Sequence, residues 1–254
     1  MKNYPIGIAL SGGFIKGFAH FGMMQALIEH DIHPDILSGT SAGSLAGVFL
    51  ADGREPYEAV NLFDNQSFSD FTSFSLNKGG LLELNNFMDF LRANLRTKRI
   101  EELKIPMIIT ATDLDHGVSV HFKEGDIAER VAASCCMPVL FTPIVIDGIH
   151  YVDGGVLMNL PVSTLRDQCE KVVAFSVSRL IADEYSLNIA SIAMRSYNFI
   201  YQANSLPQKQ IADIVIEPCG LEKYNNTQLE KADEIFKIGY DEANKVLDAL
   251  KKEE

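Results

Sequence analysis

Gly39-Thr40-Ser41-Ala42-Gly43 constrains the fold more than any other stretch of this chain. It lies where a short apolar run from Asp35 to Ser38 ends and a helical run of small residues begins. A Gly-x-Ser-x-Gly pentapeptide in that setting predicts a sharp strand-to-helix turn that thrusts the serine hydroxyl out of the backbone. Side chains at either flank would crowd the turn, so glycine is favoured at Gly39 and Gly43. The following helix points its free N–H groups and positive dipole end towards Ser41, where developing negative charge would be stabilised. A strand delivering a residue in this way fits an α/β sheet with ligands at the carboxyl ends of its strands.

The rest of the chain alternates strand and helix signals, which predicts a mainly parallel sheet with helices on both faces. Ile6 to Leu10 reads as a buried first strand, Ser11 to Gly17 as a glycine-rich loop and Gly17 to His30 as a helix. Ile105 to Thr112 reads as a strand, with Val118 to Phe122 folding back on it across Asp115-His116-Gly117. Asp126, with Glu129 three residues on, caps a short helix. Ile144 to Ile146 and His150 to Val152 flank Asp147-Gly148, a hairpin-turn dipeptide. Lys171 to Val177 and Asp213 to Ile216 read as further strands, with no element assigned between them. Thr227 and Glu230 open a final amphipathic helix that runs to about Leu250 and packs on the core. The expectation is one domain over residues 1–254, without repeats or linkers.

Length and charge narrow the class. The 254 residues suffice for a substantial core, and 47% hydrophobic with 22% charged residues is ordinary for a globular protein. A net charge of −12 argues against nucleic acid and against docking on an anionic membrane through basic residues. No run approaches the about 20 apolar residues of a membrane span. The N-terminus reaches its glycine-rich loop too soon for a secretory signal, so a cytoplasmic location is expected. Cys135, Cys136, Cys169 and Cys219 lack metal or redox spacing and read as reduced, mostly buried thiols.

Two further segments carry chemistry. Leu10-Ser11-Gly12-Gly13-Phe14-Ile15-Lys16-Gly17 joins the first strand to the first helix. Its N–H groups can receive negative charge on an oxygen, whereas it matches neither the phosphate-loop nor the dinucleotide fingerprint. Ala133 to Pro138 leads on to Tyr151-Val152-Asp153-Gly154-Gly155-Val156 and Asn159-Leu160-Pro161. Asp153 follows a strand and precedes two glycines, so its carboxylate projects from a tight turn. His150, three residues earlier, faces the other side of an alternating strand, which disfavours a histidine triad. Asp113 and Asp115 read as turn caps, and no metal cluster is indicated. Residues 65–94 interleave phenylalanines with polar residues. They form either an insertion packing on the core or a mobile apolar cover.

In this order the three segments resemble the patatin-like phospholipases, over about residues 6–161. The resemblance implies a three-layer α/β/α sandwich with a mainly parallel central sheet, and an acyl hydrolase with a Ser–Asp dyad and no cofactor. Ser41 would be the nucleophile and Asp153 the base. Gly12 and Gly13 would form the oxyanion hole, with Lys16 and Gly17 completing the loop and Gly154 and Gly155 the base's turn. Lys16 would support the loop or attract a phosphate headgroup, or stand as a solvated lysine. The chain departs from the family's three consecutive glycines at Phe14, which either weakens the oxyanion hole or walls an acyl pocket. The implied substrate is a lipid or fatty-acyl ester, reached with transient membrane or micelle contact. A soluble short-chain esterase and a weakly catalytic acyl-binding module are the alternatives.

Overall fold

The computed structural model describes residues 2–75, 79–179, 186–224 and 228–252. Its strands are β1 (Tyr4–Leu10), β2 (Ile36–Thr40), β3 (Ser73–Phe74), β4 (Leu82–Glu83), β5 (Met107–Asp113), β6 (Val118–Phe122), β7 (Ile144–Ile146), β8 (Ile149–Asp153), β9 (Cys169–Phe175) and β10 (Ile214–Ile216). Its helices are α1 (Phe18–Glu29), α2 (Ala42–Ala51), α3 (Pro56–Asn61), α4 (Asn85–Asn94), α5 (Ile127–Cys135), α6 (Gly155–Met158), α7 (Ser163–Arg166), α8 (Ile189–Gln210) and α9 (Ala232–Leu250).

The main sheet runs β10-β9-β1-β2-β5-β8-β7, parallel from β10 to β5 and antiparallel beyond, with β6 also on β5. Its central strands are apolar on both sides because both faces are covered. Ile8, Leu10, Val173 and Phe175 enter the larger core, whereas Ala9, Val172 and Ala174 enter a second one that includes Leu165 of α7. This is the mainly parallel α/β arrangement expected from the alternating pattern.

Local signals act where they were read. Asp126 accepts the Glu129 N–H at 3.0 Å and starts α5. Asp147 (φ 53°) and Gly148 (φ 83°) form the β7–β8 hairpin turn with both residues left-handed, as a type I′ turn requires. The final helix begins at Ala232, and its expected cap Thr227 lies outside the described residues. α8 was not anticipated: 22 residues long, it carries apolar side chains around much of its circumference and Pro207 inside it. In residues 65–94, Phe71 and Phe87 are buried and Phe68 and Phe90 pack against the larger core, while Phe74 is 89% exposed.

α1 and α9 cross at a point of backbone contact. A Cβ at Gly22 would collide with the Phe236 carbonyl, and one at Gly239 with the Ala19 carbonyl. Neither neighbour is a flexible side chain that could swing away. Gly22→Ala should therefore destabilise the fold by at least about 2 kcal/mol, read as a lower urea midpoint with an unchanged slope.

Candidate active site

The site rests on how β5 shares one edge. β6 lines one side of β5 from Ile109 to Asp113, so both remaining neighbours lie along the other. β2 occupies it up to the Thr40–Thr110 rung, and β8 takes over at the Ala111–Asp153 rung. The carboxyl ends of β2 and β8 therefore meet head-on, one rung apart. Ser41 leaves one end and Asp153 the other.

Ser41 adopts φ 51° and ψ −122°, a conformation that is strained for a non-glycine residue. The surroundings hold it there. Its N–H donates to Ser134 Oγ at 2.7 Å, and that hydroxyl donates to the Thr110 carbonyl at 2.6 Å. The Ser41 carbonyl accepts the first α2 bonds from Ser44 and Leu45 N–H at 2.8 and 3.0 Å. A Cβ at Gly39 would strike the backbone of Gly43, and one at Gly43 the Leu10 carbonyl. Both glycines are required by close approach, as the turn's geometry suggested.

Asp153 is 2% exposed. Its Oδ1 accepts the Gly155 N–H at 2.7 Å, and the Ser41 side chain lies beside its carboxylate. Burial pushes the carboxyl up to about 7, and the Ser41 hydroxyl and the Gly155 N–H oppose the rise without cancelling it. A carboxylate so placed can accept a proton from the serine hydroxyl near neutral pH. Cys135 lies beside Ser41 and Ser44, its thiol held un-ionised by burial and by the nearby Asp153.

The glycine-rich loop lies against the serine, with Gly12 adjoining the Ser41 Cβ. One expectation changes here. The Gly12 N–H donates to the Asn159 carbonyl at 3.0 Å, so it is already engaged. Among the described residues no acceptor meets the N–H of Gly13 or Phe14. Phe14 takes φ 54°, the left-handed conformation that the family's glycine would reach without strain. Its backbone donor is thereby retained, and its ring joins the wall of the pocket. Lys16 is half-buried, and Gly17 packs on Ala42 at the start of α2. Gly154 sits on the Thr110 carbonyl, and Gly155 between Tyr201 and Asn159.

An apolar cavity opens from Ser41. Its empty space, counted with its mouth, is about 830 Å³, and Phe14, Phe18, Phe71, Phe87 and Phe141 line it. Ser41 and Cys135 also line it.

The histidines play other parts. His20 is fully buried, its Nε2 at 2.8 Å from the Ser11 carbonyl, and burial lowers its pKa to about 4. It therefore braces the loop as a neutral ring. His116 pairs with Asp113 at 2.8 Å and His150 with Asp115 at 3.1 Å, on the turns those acids cap. Among the described residues no group of His, Cys, Asp or Glu could hold a metal. No helix among them is long and apolar enough to cross a membrane. Cys136 and Cys169 are buried free thiols, whereas Cys219 is exposed.

His20 is the hydrogen-bonded helix histidine that its position on the first helix suggests rather than a catalyst. Ser134 and Asn159 carry no sequence signal of their own beyond falling within the segment that leads to and follows Asp153.

Comparison with known proteins finds relatives in sequence and in fold. Over 162 residues the chain is 31% identical to an uncharacterised NTE family protein of Mycobacterium tuberculosis, covering 63% of this chain and 45% of that one. It is 26% identical over 275 residues to lysophospholipase NTE1 of Saccharomyces cerevisiae, covering 95% of this chain and 16% of the yeast protein. The chain thus spans less than half the length of these curated relatives. VipD from Legionella pneumophila shares the fold with a TM-score of 0.55 at 19% identity, over 97% of this chain and 67% of VipD. ExoU of Pseudomonas aeruginosa, solved with SpcU, aligns with a TM-score of 0.50 at 13% identity, over 98% and 53% respectively. The patatin-like phospholipase family profile spans residues 8–166, from the first strand through the glycine-rich loop, Ser41 and Asp153 to α7. The chain belongs to the patatin-like phospholipase family.

Proposed function

We propose that this protein hydrolyses carboxylic esters of lipids through an acyl-enzyme on Ser41, with Asp153 as the base. The observation that carries the proposal is the placement of Ser41, which lines a phenylalanine-rich cavity, beside the buried Asp153 carboxylate. An acyl chain lying in that cavity would bring its ester carbonyl to Ser41.

Ser41 Oγ attacks the carbonyl carbon as its proton passes to Asp153. The oxyanion faces the free N–H groups of Gly13 and Phe14, assisted by the N-terminus of α2. When the carbon–oxygen bond to the alcohol breaks, Asp153 returns the proton to the leaving oxygen. Water then gives a proton to Asp153 and attacks the acyl-serine, and the fatty acid leaves as Ser41 is reprotonated. Burial supports this use of a carboxylate, because an aspartate near its ordinary pKa of about 4 is too weak a base for the task. The apolar lining of the cavity favours a long acyl chain over a short soluble ester. The paired serine and aspartate favour an enzyme over an acyl-binding module, which would need neither.

Hydrolysis of p-nitrophenyl esters of increasing chain length tests the reading. Turnover should rise from acetyl towards medium and long chains, and Ser41→Ala should lower kcat at least about 10³-fold. A flat or inverted chain-length profile would remove the lipid assignment.

The pH profile of kcat/KM isolates the base. Asp153 acts when ionised, so activity should rise with pH through about 7 and level off above it. Asp153→Asn should abolish turnover and also change stability in a defined direction. Because its folded pKa is raised, protonated Asp153 contributes stability that is fully present below about pH 4 and lost as pH rises through about 7. Asp153→Asn should accordingly be more stable than wild type at pH 8, by an amount on the order of 4 kcal/mol at most, with the gap closing near pH 4. Thermal melts at the two pH values measure this.

Phe14→Gly tests the loop. Removing the side chain from a left-handed position should add up to about 1 kcal/mol of backbone relief while keeping the donor. Short-ester turnover should stay within a few-fold of wild type, whereas a loss above a hundredfold would show that the ring itself is needed.

A further inference from the structure

α8 is tied to the turn that carries Asp153. Asn204 Oδ1 accepts the Asn159 N–H at 2.8 Å, and Asn204 Nδ2 donates to the Gly155 carbonyl at 2.8 Å. Tyr201 and Ser205 are buried on the same helix. The Ser205 hydroxyl donates to the Tyr201 carbonyl at 2.7 Å and accepts from Asn159 Nδ2 at 3.4 Å. Helix and turn are thereby locked together, and the Tyr201 ring is placed with them.

Two polar atoms at this junction, Tyr201 Oη and Asn159 Oδ1, meet no hydrogen-bond partner among the described residues. Tyr201 is only 4% exposed, and Asn159 is fully buried. Gly155 shows how near they come to the base. A Cβ on it would lie 2.7 Å from Tyr201 Cε1, 2.9 Å from Asp153 Oδ1 and 3.0 Å from Asn159 Oδ1. The hydroxyl-bearing edge of the phenol, a carboxylate oxygen and an amide oxygen thus gather around one glycine. Asn159 Oδ1 also approaches the serine: a Cβ on Gly12 would lie 2.5 Å from it and 3.1 Å from Ser41 Cβ.

The inventory of donors and acceptors points to the ligand. The phenol supplies one proton, whereas the amide oxygen and an ionised carboxylate only accept. A bare oxygen in a buried site is costly. Water accepts from the phenol and donates to both oxygens, which satisfies the whole group with the about three hydrogen bonds that buried waters make. Burial and the neighbouring Asp153 hold the Tyr201 phenol well above its ordinary pKa, so it remains a donor.

We propose that Tyr201 and Asn159 hold the water that releases the acyl group from Ser41, Tyr201 Oη donating to it while it donates to Asn159 Oδ1 and Asp153. The inference rests on the acyl-enzyme reading above. In that step the water gives one proton to Asp153 as its oxygen bonds to the acyl carbon. The bond from that carbon to Ser41 Oγ then breaks, and Oγ takes the proton from Asp153. Formation of the acyl-serine needs no water, so the two residues act only in the second half of the reaction.

Tyr201→Phe removes the donor and keeps the ring. Acylation is followed as the p-nitrophenolate burst from p-nitrophenyl octanoate, and decay of the acyl-serine by intact-protein mass after unreacted ester is removed. The variant should acylate within about threefold of the wild-type rate and lose its acyl group at least about tenfold more slowly. With that release limiting, kcat and KM should fall together while kcat/KM holds. Equal decay in the two proteins would overturn the inference and leave the chemistry at Ser41 standing. Acylation and decay slowed alike would also overturn it, since that is the signature of a displaced Asp153. A wild type that gains no more acyl mass than Ser41→Ala would remove the acyl-enzyme reading itself, and this inference with it.

Discussion

One edge of β5 has to serve two strands, and the active-site geometry follows from that division. β2 runs alongside from below as far as Thr110, and β8 arrives from the opposite direction to Ala111. Two chain ends are thereby held at adjacent rungs by backbone hydrogen bonds rather than by loops. The Thr110 carbonyl lies at the junction, accepting the Ser134 hydroxyl that fixes Ser41 and contacting Gly154 beside Asp153. A strained serine conformation persists there because neighbours on several sides over-determine it.

Burial sets the chemistry of the groups collected at this junction. The same desolvation raises Asp153, suppresses ionisation of Cys135 and Tyr201, and keeps His20 neutral. It brings the Asp153 carboxyl into the range where a carboxylate can take up a proton near neutral pH, and it holds the Cys135 thiol un-ionised beside Ser41. The phenylalanines of residues 65–94 help to maintain this dry environment, since Phe71 and Phe87 belong both to the core and to the cavity wall.

What was legible in the sequence was local. The pentapeptide around Ser41, the Asp126 cap and the Asp147-Gly148 turn each specify a conformation through a few adjacent residues, and each forms as expected. The engagement of Gly12 could not be read that way. It depends on Asn159, which reaches the loop only after β8 and α6 have been placed. Ser134 escaped notice for the same reason, since its value lies in bridging Ser41 to Thr110 across two other elements. α8 was missed because it presents apolar residues outward as well as inward, so no polar face revealed its period, and Pro207 resembles a breaker.

The hairpin that ends at Asp153 imposes a rule of parity. β8 alternates faces residue by residue, and its pairing with β5 and β7 leaves little freedom to absorb a shift. One residue added or lost between Gly148 and Asp153 would turn the carboxylate to the opposite side of the sheet, whereas a change of two would restore its direction. Drift in the length of this strand is thus confined to even steps, although the turn that sets it touches neither the serine nor the cavity.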